Sequence, residues 1–141
     1  KIKDGKDVAI LSIGHPGNLV AEAISKLKEE NINPAHYDMR FAKPIDENLL
    51  HEVFKNYSKI ITVEDGCIMG GMGSAVLEFM ADNQYAAKVT RLGIPDKWVE
   101  HGEQAELYEE CGFSPEKIIE EVKNILNPTF NKTNQTTIKG A

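Results

Sequence analysis

Lys59-Ile60-Ile61-Thr62-Val63-Glu64, followed by Gly70-Gly71-Met72-Gly73-Ser74, is the stretch on which the fold turns. Ile60, Ile61, Thr62 and Val63 are β-branched, which favours a strand. The glycines then open a helix running from Ser74 to about Ala81. The same unit recurs on either side. Upstream, Ala35 to Phe41 is strand-like, and Pro44 and Asp46 open a helix with Asp46 as N-cap and Leu49, Leu50, Val53 and Phe54 on its buried side. Before that, Asp7 to Gly14 is an apolar run closed by glycine, the pattern of a buried strand. It leads to a helix from Asn18 to Leu27 with Val20, Ala23, Ile24 and Leu27 on one face, and Asn31 is placed to cap its end. Lys1-Ile2-Lys3 reads as a short edge strand turned by Asp4-Gly5. Downstream come a strand over Ala87–Gly93 and helices over Glu103–Glu110 and Pro115–Leu126, the last capped by Ser114 with Pro115 at its first position. Strands alternating with helices in this way predict an α/β fold, a mostly parallel sheet covered on both faces.

The chain has 141 residues, 41% of them hydrophobic and 27% charged. That is enough for one core, burying roughly two-thirds of the unfolded surface. The domain is expected over residues 1–126, with an Asn-, Thr- and Lys-rich tail over 127–141 that has no periodic apolar face and should be flexible. Net charge is −6, from 16 basic and 22 acidic residues, so no basic stripe is offered to nucleic acid. No apolar run reaches the length of a membrane span, and no basic-then-apolar signal-peptide pattern is read in these residues. Cys67 and Cys111 sit in no pairing motif, which fits a reducing, cytoplasmic setting. The first residue is Lys1, not Met, so a piece of a longer polypeptide is expected.

Several residues bear on function. Gly70, Gly71, Gly73 and Ser74 stand at a helix start, where bare N–H groups bind anions. They match neither G-x-G-x-x-G nor a Walker loop, and glycines also let a helix pack closely. Glu64-Asp65 closes the central strand, where open α/β sheets bind ligands; paired carboxylates there do acid–base work, hold a cation or cap a loop. His15 lies in a comparable loop, and His51 reads as a surface residue on a helix. No histidine falls at metal-ligand spacing. The stretch Asp96-Lys97-Trp98-Val99-Glu100-His101-Gly102 holds the only Trp and is either an interface loop or a self-bonded turn. Cys67 and Cys111 read as small apolar fillers. No complete catalytic set emerges.

Four motifs in order carry a resemblance: Asp38-Met39-Arg40-Phe41-Ala42-Lys43-Pro44-Ile45-Asp46; Thr62-Val63-Glu64-Asp65-Gly66 with Gly70-Gly71-Met72-Gly73-Ser74-Ala75-Val76; Leu92-Gly93-Ile94-Pro95-Asp96-Lys97-Trp98-Val99-Glu100-His101-Gly102; and Cys111-Gly112-Phe113-Ser114-Pro115-Glu116-Lys117-Ile118. Over roughly residues 1 to 126 the chain resembles the C-terminal domain of the transketolase family, and within it the 1-deoxy-D-xylulose-5-phosphate synthases. The resemblance implies a three-layer α/β/α domain with a five-stranded, mostly parallel sheet and one antiparallel edge strand, supplied by Lys1-Ile2-Lys3. It implies a transferase that condenses pyruvate with glyceraldehyde 3-phosphate, releases CO2 and feeds isoprenoid, thiamine and pyridoxal synthesis. Thiamine diphosphate and Mg2+ would serve the full-length enzyme. The family's diphosphate motif, G-D-G with a distant Asn-Asn, is missing here, so no cofactor-binding or catalytic residue is carried over and the isolated domain is expected to be inactive. Its partners would be the other domains of the polypeptide and a homodimer mate. The alternative is a stand-alone regulatory domain binding an anion or nucleotide at Gly70–Ser74. Asp38, Arg40, Lys43, Pro44, Asp46, Glu64, Gly70, Gly71, Gly73, Ser74, Trp98, His101 and Gly102 are the expected interface or structural residues. Arg40 is expected to pair with a carboxylate, with Glu64 beside it at a neighbouring strand end, and so to pin two loops together.

Overall fold

The computed structural model describes residues 1–127, so most of the predicted 127–141 tail lies outside it. The elements are β1 (Ala9–Ser12), α1 (Pro16–Glu29), β2 (Ala35–Asp38), α2 (Glu47–Asn56), β3 (Lys59–Cys67), α3 (Met72–Asp82), β4 (Lys88–Ile94), α4 (Gln104–Cys111) and α5 (Pro115–Leu126). The four strands form one parallel sheet in the order β2-β1-β3-β4. Strand side chains alternate between faces, and each face has its own core. Ile10, Ile61 and Val63 pack against α1 and α5 through Val20, Ile24, Leu27, Ile118, Val122 and Ile125. Ala9, Leu11, Tyr37 and Ile60 pack against α2 and α3 through Leu50, Val53, Phe54, Met72, Val76 and Phe79. This is the predicted α/β/α sandwich.

The predicted fifth strand is corrected. Lys3 makes a single antiparallel bridge to His36. The Ile2 and Lys3 N–H groups donate to the His36 carbonyl at 2.8 and 3.1 Å, and His36 N–H donates to the Lys3 carbonyl at 2.9 Å. The chain then leaves the edge. Gly5 lies hard against the backbone of Asn33, Pro34 and Ala35, where a Cβ has no room. Lys6 N–H donates to the Asn33 carbonyl at 2.9 Å. Among the described residues the sheet is therefore four-stranded and wholly parallel.

Local signals explain most element ends. Asp46 caps α2, accepting from Leu49 N–H at 3.0 Å. Ser114 caps α5, accepting from Lys117 N–H at 3.3 Å, with Pro115 in its first turn. The α1 helix starts at Pro16, two residues earlier than read from its apolar face, because proline's fixed φ suits a first turn. It ends with Asn31 in the left-handed region at φ 60°, and α4 ends with Gly112 at φ 81°. The β2 strand stops at Asp38 rather than Phe41, and Arg40 adopts φ 57° just beyond it. The β3 strand runs past Glu64 to Cys67 because an irregularity between Val63 and Cys67 resets its register against β4.

Candidate functional site

The strand order reverses between β1 and β3, since α1 covers one face and α3 the other. At the C-terminal ends of these strands open α/β sheets hold ligands. Here the position is taken by the protein itself. Glu64 is 3% exposed. Its carboxylate accepts from Met72 N–H at 2.7 Å and from Gly73 N–H at 2.8 Å. These are first-turn donors of α3 that would otherwise face an anion. Glu64 thus serves as a helix cap from a neighbouring strand.

The glycines are the room this cap needs. A Cβ on Gly71 would overlap the Glu64 carboxylate and lie 2.5 Å from the Cys67 carbonyl. A Cβ on Gly73 would lie 2.5 Å from Thr62 Oγ1 and 3.0 Å from Arg91 Cδ. Gly70 has φ 78°, a left-handed value that suits glycine. Its N–H donates to Ser74 Oγ at 3.0 Å. Ser74 Oγ donates to the Ile68 carbonyl at 3.2 Å. Arg91 completes the knot, with Nη1 donating to the Ile68 carbonyl at 2.7 Å and to Ser74 Oγ at 2.8 Å. Close packing of helix on sheet is therefore the reading of the glycine cluster that the geometry supports.

Arg40 does not reach Glu64. Strand β1 separates β2 from β3, so the two strand ends are not neighbours. Arg40 points outward with its side chain 79% exposed, and its nearest carboxylate is Asp38 at 3.9 Å. The loop-pinning arginine is Arg91, in the middle of β4, which sequence reasoning missed. The signal was available as a cation inside an otherwise strand-like run.

The loop after β2 forms a cleft of about 450 Å³ lined by Lys1, Ile2, Asp38, Arg40, Phe41, Pro44 and Asp46, among others. Asp38 accepts from Arg40 N–H at 3.0 Å. The Lys43–Pro44 peptide is cis. Across the sheet, the loop after β4 borders a second cleft of about 920 Å³ between itself and α4. Trp98, His101, Gly102 and Tyr108 line it with Asp65 and Cys111. Trp98 is 89% exposed. The expected residues thus form three separate groups along one rim: Asp38–Asp46, Glu64 with Gly70–Ser74, and Trp98–Gly102.

Other residues differ from their sequence reading. His51 is half-buried, hydrogen-bonded through Nδ1 to Tyr85 Oη at 2.7 Å and set edge-on to Phe79. Cys67 is exposed, whereas Cys111 is partly buried against the core. His15 stands at the start of α1, with its ring centroid 6.1 Å from that of Tyr108. The residue no motif flagged is His36, 4% exposed, with Nε2 2.8 Å from Ser12 Oγ on the next strand. Burial pushes its imidazole down to about 4, against a smaller opposing pull from Asp38. Among the described residues, no three His, Cys, Asp or Glu side chains converge to hold a metal ion. No helix among them is long and apolar enough to cross a membrane.

A parallel α/β sandwich whose helix start is capped by its own carboxylate is a doubly wound domain. Comparison with known proteins makes the class specific. The family model described as "Transketolase, C-terminal domain" matches residues 1–118, and the chain belongs to that family. It is 70% identical over 125 residues to the 1-deoxy-D-xylulose-5-phosphate synthase of Cytophaga hutchinsonii, covering 89% of this chain and 20% of that protein. It is 55% identical over 123 residues to the synthase of the same name from Parabacteroides distasonis, covering 87% and 20%. The chain therefore spans about a fifth of the length of these relatives. Among solved structures, a split-gene transketolase described as an inactive beta4 tetramer matches with TM-score 0.78 and 32% identity, over 88% of this chain and 39% of that one. A transketolase from Campylobacter jejuni matches at TM-score 0.59 and 18% identity, over 88% and 18%, and shares the fold.

Proposed function

We propose that this chain is the C-terminal domain of a cytoplasmic 1-deoxy-D-xylulose-5-phosphate synthase. The whole enzyme uses thiamine diphosphate and Mg2+ to join pyruvate and glyceraldehyde 3-phosphate with loss of CO2. The domain's role is architectural: it packs on the pyrimidine-binding domain of its own polypeptide and on the partner subunit of a homodimer. The observation that carries this reading is 70% identity over nearly nine-tenths of the chain to one such synthase.

Two features of the described residues speak for a cofactor held outside this domain. The N–H groups at its glycine-rich helix start already serve Glu64, and its described side chains form no cluster able to hold magnesium. Both features support a cofactor site elsewhere in the longer polypeptide. The same carboxylate argues against the stand-alone anion-binding reading, because an added phosphate would have to displace it.

The test is an assay of the longer polypeptide with pyruvate and glyceraldehyde 3-phosphate. Turnover to 1-deoxy-D-xylulose 5-phosphate is expected there and not with the 141-residue chain alone. A longer polypeptide that makes no product, though folded and loaded with cofactor, overturns the reading.

A further inference from the structure

The cleft of about 920 Å³ between α4 and the loop after β4 takes no part in the function proposed above. Its size falls within the roughly 300–1,000 Å³ of small-molecule sites. Its walls are apolar and aromatic, with Ile94, Leu107 and Phe113 beside Trp98 and Tyr108. Tyr108 is held in place, its ring centroid 4.9 Å from that of Phe113 and its hydroxyl accepting from Gln104 Nε2 at 2.7 Å. Helix α4, which supplies Leu107 and Tyr108, buries no residue of its own and ends on Gly112 at φ 81°. The cleft lies at the β4 edge of the sheet, whereas Lys1, where any preceding residues join, lies by the β2 edge.

Charge says what fits there. The stretch from Asp96 to Glu110 holds six acidic residues and one lysine, a net −5 in a chain whose total is −6. That lysine, Lys97, is turned to Glu110 at 3.3 Å. The cleft is lined by Asp65 and Glu100 and by no lysine or arginine. Among the described residues, neither Asp65 nor Glu100 takes part in an ion pair. Such a lining repels phosphates and carboxylates and favours a positive charge. The aromatic walls act in the same sense, because the faces of Trp and Tyr attract cations. We propose that this cleft binds a small organic cation, an amine or quaternary ammonium that carries an apolar group. Asp65 and Glu100 supply the countercharge, Trp98 and Tyr108 the aromatic faces, and Ile94, Leu107 and Phe113 the apolar floor. Pyruvate and glyceraldehyde 3-phosphate are anions, so this ligand is of a different class from the substrates of the proposed reaction.

Trp98 provides the readout, being the only tryptophan of the chain. The 141-residue chain is titrated with benzyltrimethylammonium, and with benzyl alcohol and inorganic pyrophosphate as neutral and anionic controls. The ammonium alone should change Trp98 fluorescence to saturation, with half-effect below about 1 mM. Asp65→Asn with Glu100→Gln should weaken it at least about tenfold and leave the melting temperature of the free protein unchanged, since both side chains are exposed. At ten times its dissociation constant the ammonium should slow amide exchange of α4 about tenfold and leave α5 unchanged. A fluorescence change that never saturates is collisional quenching and overturns the proposal. So does equal binding of benzyl alcohol, which makes the cleft merely apolar, or binding of a lysine tetrapeptide without the ammonium, which assigns it to a basic protein partner. Equilibrium dialysis then compares the longer polypeptide with its Asp65→Asn, Glu100→Gln variant. One ammonium site per chain that the variant loses supports the proposal, and its absence overturns it by showing that the cleft is covered there.

Discussion

At the residue scale, Glu64 is the buried carboxylate that ties β3 to the start of α3. A buried carboxylate accepting two backbone N–H groups at a helix start makes charge-assisted bonds that neutral side chains do not replace. Glu64→Gln keeps one acceptor but sets an amide NH2 against a backbone donor. It should cost about 2 kcal/mol and lower the melting temperature measurably. An unchanged melt would mean that α3 does not depend on this cap. The two arginines make a contrast. Arg91→Ala should cost about 1.5–3 kcal/mol in denaturant unfolding, because it removes the charged donor to the Ile68 carbonyl and Ser74. Arg40→Ala should change stability by less than about 0.5 kcal/mol, since its one ion pair is long and exposed. His36 sets a pH dependence. Its folded value, about 4, lies below the 6.5 of the unfolded chain. Its contribution is complete above 6.5 and is lost as pH falls toward 4, because the unfolded chain takes up the proton first. The loss is about 2–3 kcal/mol. Urea midpoints at pH 7 and pH 5 should show a steeper drop for the natural chain than for His36→Gln.

At the scale of elements, what the sequence revealed depended on how local the cause was. Asp46 and Ser114 act within three residues of themselves, so the starts of α2 and α5 were readable. The βαβ alternation was readable for the same reason, because periodicity lives inside each element. Neighbour order is different. Nothing in the residues near Arg40 or Glu64 says that β1 lies between their strands, and the predicted pairing failed there. His36 was invisible because its partner, Ser12, lies on another strand. The cap from Glu64 to α3 was half visible: the glycine cluster was legible as either an anion cradle or close packing, and only the placement of the carboxylate decides. Element stability follows from burial. Helix α4 buries no residue, whereas α5 buries Ile118, Val122 and Ile125. Amide exchange by mass spectrometry should therefore open α4 at least about tenfold faster than α5. Equal protection of the two helices would refute this.

At the scale of the whole molecule, each face of the sheet is closed by a different part of the chain. The α2–α3 face is built from consecutive elements. The α1–α5 face is not. Its two helices are tied by Lys26–Glu116 and Lys123–Glu30, pairs separated by 90 and 93 residues in sequence. Such long-range closure carries a high loop entropy and comes late in folding. A chain ending at Phe113 keeps all four strands but loses Ile118, Val122 and Ile125 from the core. It should sediment as aggregate rather than as a monomer. A soluble, cooperatively melting truncation would show that α5 is dispensable. On the ribosome the order of synthesis makes this a timing problem. Part of the apolar stripe of α1 meets β1 and β3 as those strands emerge, but the side that faces α5 stays uncovered until that helix has cleared the exit tunnel, a window in which a chaperone would find its binding surface.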